Sequence, residues 1–216
     1  VGRKNAINIH LTLVPFIPSA GELKTKPTQH SVKMLLELGI QPDMLLCRSD
    51  RPLPLAIRQK IGLFWNMPPE YVIEARDVST IYECPIEFAR ERFDERVIKL
   101  LGLRTKEPDL ERWSKFLKRV KEPKHEVEIG LVGKYAEYHD AYKSIIESFV
   151  HAGAENNARL TLNWVHSEDI EKNGPARYLK NLDGLLVAPG FGERGVEGKI
   201  RAVQYVRENN IPFFGI

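Results

Sequence analysis

From residue 6 the apolar positions alternate. Ile7, Ile9, Leu11 and Leu13 fall on one side of an extended chain, which is the two-residue period of a strand. A polar loop follows, and Pro27 then opens a helix whose apolar side holds Val32, Leu35, Leu36 and Leu38, with Gly39 as its C-terminal cap. Residues 44–47 read as a short buried strand. Residues 54–65 read as a helix with Ile57, Ile61 and Phe64 inward, and residues 71–75 as another strand. Residues 85–101 are helical in two pieces. In residues 110–120, Trp113, Phe116, Leu117 and Val120 recur at helical spacing and form a packing stripe. The polar, proline-bearing stretch 121–125 has the character of a linker.

Beyond it the pattern begins again. Residues 127–132 read as a strand, and residues 140–151 as a helix with Ile145, Ile146, Phe149 and Val150 inward. Leu160, Leu162 and Trp164 alternate in a second strand. A helical stretch at 177–179 leads to a third strand at 185–187, a glycine-rich loop, a helix over 197–209 and a last buried strand over 211–216. Alternating strands and helices indicate parallel sheets. The expected fold is α/β: two parallel-sheet Rossmann-like units joined by a helical linker, both incomplete. The boundaries fall at residues 1–105, 106–126 and 127–216. The chain starts with Val1 rather than Met and ends on a strand-like run, the pattern of a fragment cut at both ends.

Composition narrows the possibilities without naming any. With 43% hydrophobic and 28% charged residues among 216, the chain has the balance of a soluble globular protein. A net charge of +3, from 32 basic and 29 acidic residues, gives no overall field favouring nucleic acid or a membrane. No stretch reaches the ~20 apolar residues that span a bilayer. Cys47 and Cys84 match no metal or redox spacing and read as small core residues of a reduced, cytoplasmic protein.

Three places carry candidate chemistry, each where α/β proteins bind ligands, at the C-terminal ends of strands. In residues 21–31 (Gly-Glu-Leu-Lys-Thr-Lys-Pro-Thr-Gln-His-Ser), Lys24 and Lys26 stand just before a helix start. Free amides at such a start attract anions, and two lysines add to the pull, an arrangement suited to a triphosphate. The same residues also fit a solvated loop with a Thr or Ser cap. In residues 47–51 (Cys-Arg-Ser-Asp-Arg), Arg48 follows a buried strand and can stack on a base or pair with phosphate, and Lys60 on the next helix can reach the same cleft. Alternatively Asp50 caps the turn while Arg48 and Arg51 make surface ion pairs. In residues 187–195 (Val-Ala-Pro-Gly-Phe-Gly-Glu-Arg-Gly), three glycines between strand and helix let backbone amides approach an oxyanion, or simply make a turn. The glycine spacing is not the dinucleotide fingerprint, and no P-loop lysine follows.

These stretches, with Gly-Ile-Gln-Pro-Asp at 39–43, Gly-Leu-Val-Gly-Lys-Tyr at 130–135 and Asp-Ala-Tyr-Lys-Ser at 140–144, closely resemble the CTP synthase family. The resemblance covers nearly the whole chain and crosses both units in family order. It implies an ATP-dependent ligase of pyrimidine biosynthesis: ATP phosphorylates the uracil 4-oxygen of UTP, and ammonia from L-glutamine displaces the phosphate to give CTP. It assigns Lys24, Thr25, Lys26, Pro27, Thr28, Gln29 and Lys60 to UTP and to CTP as feedback inhibitor. Arg48, Arg76, Asp77 and Val78 would line ATP. Gly190 would be the oxyanion-loop glycine, and Arg194 would contact GTP, the activator.

The same resemblance implies a cytoplasmic homo-oligomer, dimers pairing into tetramers, with no nucleic-acid or membrane partner. It places the Mg2+ ligands and the ATP-phosphate loop upstream of Val1 and the nucleophilic cysteine after Ile216, so these residues alone are expected to be inactive. One departure stands out. Pro189 occupies a usual glycine position, and proline has no N–H to donate, so the oxyanion contact falls to Gly190 or beyond. The rival reading is a non-catalytic nucleotide-binding or assembly module.

Overall fold

The computed structural model describes residue 2 and residues 5–216. It divides into two compact units, 1–110 and 111–216.

In the first unit, β1 (Ile9–Leu13) leads into a small antiparallel hairpin, β2 (Phe16–Ile17) and β3 (Glu22–Leu23). Next come α1 (Lys26–Glu37), β4 (Met44–Ser49), α2 (Leu55–Phe64), β5 (Val72–Arg76), α3 (Cys84–Arg90) and α4 (Phe93–Leu101). The main sheet has the order β1-β4-β5, with both pairs parallel. Residues 39 and 40 end α1 as its sequence predicts. Gly39 takes φ +77°, and its amide and that of Ile40 return to Leu36 and Leu35, the double bond pattern that a left-handed residue allows. The two helical pieces α3 and α4 are separated at Arg92, which is also left-handed.

The shared side of Ile9, Leu11 and Leu13 in β1 is the more open one. Leu11 is 62% exposed and Ile9 and Leu13 are also exposed, whereas Thr12 is buried. The cause lies in which side of the sheet carries the helices. The core of Val14, Val32, Leu45, Cys47, Leu53, Ile61, Met67 and Val72 forms on the side of α1 and α2. Register pairs Leu11 with Leu46 and Ile73, so these three share the opposite side. There α3 packs on β5, and among the described residues nothing covers Leu11 and Leu13 as fully. Leu38 (76% exposed) and Phe64 (53% exposed), expected inward, likewise point to solvent at the last turns of their helices.

A half-buried ionic joint locks α2, β5 and the end of α3 together. The Arg58 guanidinium donates to both carboxylate oxygens of Glu91, to Glu74 at 3.2 Å and to the Leu53 carbonyl at 3.1 Å. Glu74 also accepts the Leu53 amide at 2.7 Å, and Glu91 the Glu74 amide at 3.2 Å. Burial works to raise the Glu91 pKa, but the Arg58 hydrogen bonds, the Glu74 amide and the charges of Arg58 and Arg96 outweigh it and hold it below its ordinary value.

The second unit runs α5 (Glu111–Lys121), β6 (His125–Gly133), α6 (Lys143–Glu155), β7 (Ala158–His166), α7 (Ser167–Asn173), α8 (Ala176–Leu179), β8 (Gly184–Val187), α9 (Val196–Glu208) and β9 (Phe213–Gly215). Its parallel sheet has the order β7-β6-β8-β9. Apolar clusters fill both faces. Leu131, Tyr142, Leu186 and Ala188 meet Ile145 and Phe149 of α6, and Val132, Val165, Leu185 and Val187 meet α7, α8 and α9. Residues 110–120, with the packing stripe, form α5, which lies on α6: the Phe116 and His151 rings meet edge-on at 5.6 Å, and Arg119 pairs with Glu155 at 2.8 Å. The last strand, predicted buried, has Phe213 and Phe214 exposed, because it forms the edge of the sheet. Among the described residues no helix is long and apolar enough to cross a membrane.

Helix α7 was not predicted, and it meets α9 backbone to backbone. A Cβ on Gly198 would stand 1.8 Å from the Ser167 carbonyl oxygen, and one on Gly195 would stand 2.1 Å from the Ser167 hydroxyl oxygen. Glu171 accepts the Gly198 amide at 3.0 Å and so caps α9 from outside.

Two predictions follow from this packing. Gly198→Ala should destabilise the second unit by about 1–3 kcal/mol, since backbone cannot yield as a side chain can. Calorimetry should show its transition lowered by roughly 5 °C or more, and an unchanged transition would contradict the close approach. Glu91→Gln should cost the first unit about 2 kcal/mol at pH 7, by leaving a half-buried guanidinium short of charge. A carboxylate with a depressed folded pKa stabilises above its ordinary value of 4.5 and loses that contribution as pH falls through the folded value. Urea titrations of wild type and variant should therefore draw together as pH falls below the ordinary value of 4.5 and converge only once it is below the depressed folded value.

Candidate functional site

Parallel strands bring the predicted residues of the first unit to one end of the sheet. Arg48 is the penultimate residue of β4, Arg76 ends β5, and Asp77 and Val78 follow it. All four line one cavity of about 430 Å³, which is also lined by Ile81 and by Cys84, Glu87 and Phe88 of α3. Arg48 donates from Nε to Asp77 at 2.7 Å, and this bond and the Asp77 charge raise its pKa further. Arg76 is shared between Glu87 at 3.3 Å and Glu74 at 3.8 Å, so the joint at Arg58 also aims a cavity residue. Arg51 pairs with Asp50 through two bonds of 3.0 and 2.9 Å, as the surface-pair alternative had it, while lying over the Phe16 ring.

The lysine stretch lacks the Thr or Ser cap of the solvated-loop alternative. Thr25 is the N-cap residue of α1, but its side chain makes no capping bond. Its hydroxyl accepts instead from the Gln29 side chain at 3.3 Å. Pro27 brings no N–H to the first turn, and no side chain caps the start of the helix. Thr28 is fully buried and donates to the Leu13 carbonyl at 2.9 Å, which fastens the first turn of α1 to the end of β1. Lys24 is half-buried and pairs with Glu22, while Lys26 is exposed. The hydrogen bond from Lys24, its charge and the more distant charge of Lys60 lower the Glu22 pKa. Lys24 and Lys60 thus act on one carboxylate, although they come from a loop and from α2.

In the second unit, Gly190 is exposed in the loop after β8, with Gly192 and Gly195 left-handed beyond it. Arg194 lies 3.3 Å from Glu168 and 5.8 Å from the centre of the Tyr135 ring. It borders a second cavity, of about 380 Å³, with Lys134, Tyr138, His166 and Lys172. Sequence reasoning assigned no role to Lys134, which is buried and holds the loop, or to Lys199. Of the cysteines, Cys47 is a buried core residue whose thiol is pushed up to about 12 by burial. Cys84 departs from its expected place in the core and is half-buried at the first cavity. Among the described residues no three or more His, Cys, Asp or Glu side chains converge as a metal site, so no step is assigned to Mg2+ here.

Comparison with known proteins finds a match for each unit. A family model described as CTP synthase N-terminus matches residues 1–103, and one described as glutamine amidotransferase class-I matches residues 137–216. CTP synthases of Chlorobaculum tepidum and Flavobacterium johnsoniae are each 57% identical, and that of Prosthecochloris aestuarii is 58% identical, all across 100% of this chain. The chain belongs to the CTP synthase family. It spans 39–40% of the length of these CTP synthase relatives. A solved structure, the glutaminase domain of Trypanosoma brucei CTPS with bound acivicin, is 41% identical over 41% of this chain and 35% of that one, with a TM-score of 0.38.

The tie between Thr28 and Leu13 holds the lysine stretch of this CTP synthase relative against the sheet end. Thr28→Val should lower the stability of the first unit by about 1–2 kcal/mol, because a buried carbonyl loses its donor. Thr28→Ser should restore most of it in the same denaturant titration.

Proposed function

We propose that this chain is the central part of a CTP synthase, which aminates UTP to CTP with ATP and with ammonia released from L-glutamine. In this reading residues 1–105 are the C-terminal part of the amidoligase domain, 106–126 an interdomain linker, and 127–216 the N-terminal part of the amidotransferase domain. The observation that carries it is the succession of two unlike units on one chain, in the family's order and at 57% identity throughout.

The geometry supports distinct roles for two groups of residues at the same end of the first sheet. A nucleoside triphosphate carries several negative charges, and Lys24, Lys26 and Lys60 beside the uncapped start of α1 offer cations and free amides to them. Lys24 would exchange Glu22 for phosphate. Thr25, Pro27, Thr28 and Gln29 shape that turn for UTP, and for CTP as inhibitor. The cavity at Arg48, Arg76, Asp77 and Val78 has an apolar wall in Ile81 and Phe88 and suits the adenine of ATP. Phosphorylation of the uracil 4-oxygen turns it into a leaving group, and ammonia attacking that carbon expels phosphate. The residues present here bind and orient the reactants.

In the second unit the Gly190 amide would meet the oxyanion formed when glutamine is attacked, and Arg194 would contact the activator GTP. Assembly into dimers and tetramers and a cytoplasmic location belong to the same proposal.

In the full-length protein carrying this chain, Lys24→Ala should raise the KM for UTP at least about tenfold, as expected for loss of a charge-assisted phosphate contact. Glutamine hydrolysis should stay within about twofold of wild type. Equal loss of both activities would count against the placement of Lys24.

A further inference from the structure

The glycine loop after β8 is fastened from one side by two ammonium groups that come from different elements. Lys134, just past β6, is buried, and its Nζ donates to the carbonyl oxygens of Phe191 at 2.5 Å and Gly192 at 2.7 Å. Lys199, in the second turn of α9, donates from Nζ to the Ala188 carbonyl at 2.8 Å. A methyl on Gly190 would stand 3.5 Å from both Lys134 Cδ and Lys199 Nζ. The two side chains therefore both reach the Gly190 backbone, at ordinary contact distance from a methyl placed there.

The tethered carbonyls lie on either side of Gly190. Between them are two peptide groups whose N–H donors belong to Gly190 and Phe191. Both residues are exposed, and neither amide has a hydrogen-bond partner among the described residues. The stretch is thus pinned at its ends and free to donate at its middle.

Lys199 occupies an unfavourable position for a cation. It lies near the start of α9, where the helix dipole disfavours positive charge. Burial, and then the charge of Lys134, lower its pKa from the ordinary value. The charge-assisted bond to Ala188 offsets these costs.

We propose that Lys199 is a positioning residue for the amidotransferase step: together with Lys134 it fixes the ends of the 188–193 loop, so that the Gly190 and Phe191 amides stand ready for an oxygen that gains negative charge. The inference rests on the amidotransferase reading of the second unit. Donors fixed before reaction need no reorganisation as charge develops, and two ammonium groups behind them add positive potential at the same place. Lys199 acts through the loop and makes no contact with the reacting atoms.

The test has two arms. In the full-length protein carrying this chain, 15N relaxation should give order parameters near ~0.85 for Gly190, Phe191 and Gly192, falling below ~0.6 in Lys199→Met. The amides of α9 and the melting transition should not change, and Lys199→Arg should keep the loop rigid. A loop equally rigid in Lys199→Met overturns the proposal, as does loosening spread evenly through α9 and β8. In the full-length protein, Lys199→Met should lower kcat for glutamine hydrolysis about tenfold, a modest share of what loss of a direct oxyanion donor costs. The KM for glutamine should hold within about twofold, and Lys199→Arg should recover most of the turnover. A loosened loop with unchanged turnover would overturn the catalytic part of the proposal. Absence of glutamine hydrolysis in the wild-type full-length protein would instead defeat the amidotransferase reading, and the relaxation result would stand apart from it.

Discussion

Parallel pairing is the constraint from which the rest follows. Two parallel strands cannot be joined by a tight turn, so the chain must cross back over a sheet face before the next strand begins. Every strand of β1-β4-β5 and of β7-β6-β8-β9 therefore finishes at the same edge of its sheet. Residues as far apart in sequence as Leu11, Arg48 and Asp77 become neighbours around one cavity for that reason alone. In the second unit the same rule brings Lys134, at the end of β6, against the loop that leaves β8.

Charge in the first unit is used in two contrasting ways. Arg58, Glu74 and Glu91 are largely withdrawn from water, and their lone pairs and protons are met by one another and by backbone groups. Such a joint specifies where α2 and α3 sit more than it adds net stability. At the edge of the sheet, Arg48 and Lys24 have single acidic partners and remain open to solvent. An exposed pair contributes little and is readily exchanged for another anion. The fixed charges thus hold the cavity wall in place, and the exchangeable ones face the space beside it.

Much of this was legible in the residues. The alternation of strand and helix gave parallel α/β units, and Pro27 and Gly39 marked the ends of α1 from their backbone preferences alone. What escaped shares a physical cause. Periodicity shows that Ile9, Leu11 and Leu13 share a side, but not which side the helices cover, and these three lie on the more open one. Helix α7, reading Ser-Glu-Asp-Ile-Glu-Lys-Asn, has a single large apolar residue, Ile170, and its packing is made by glycines on α9. The cavity wall at Glu87 and Phe88 and the lysines behind the glycine loop are products of tertiary approach. Lys134 followed a strand in a recognisable Gly-Lys-Tyr stretch, and that was the one signal available for it. Lys199 had none, since a lysine early in a helix reads as a solvated residue.

The glycine contact between α7 and α9 has a mechanical consequence. Packed side chains behave as cushions and can absorb a small displacement by changing rotamer. Here the Ser167 backbone lies directly under Gly198, with the Ser167 hydroxyl beneath Gly195 and no compliant layer between. A push on the start of α7, where Glu168 meets Arg194, is therefore handed undamped to the first turn of α9 and the loop before it. The two helix starts form a stiff lever.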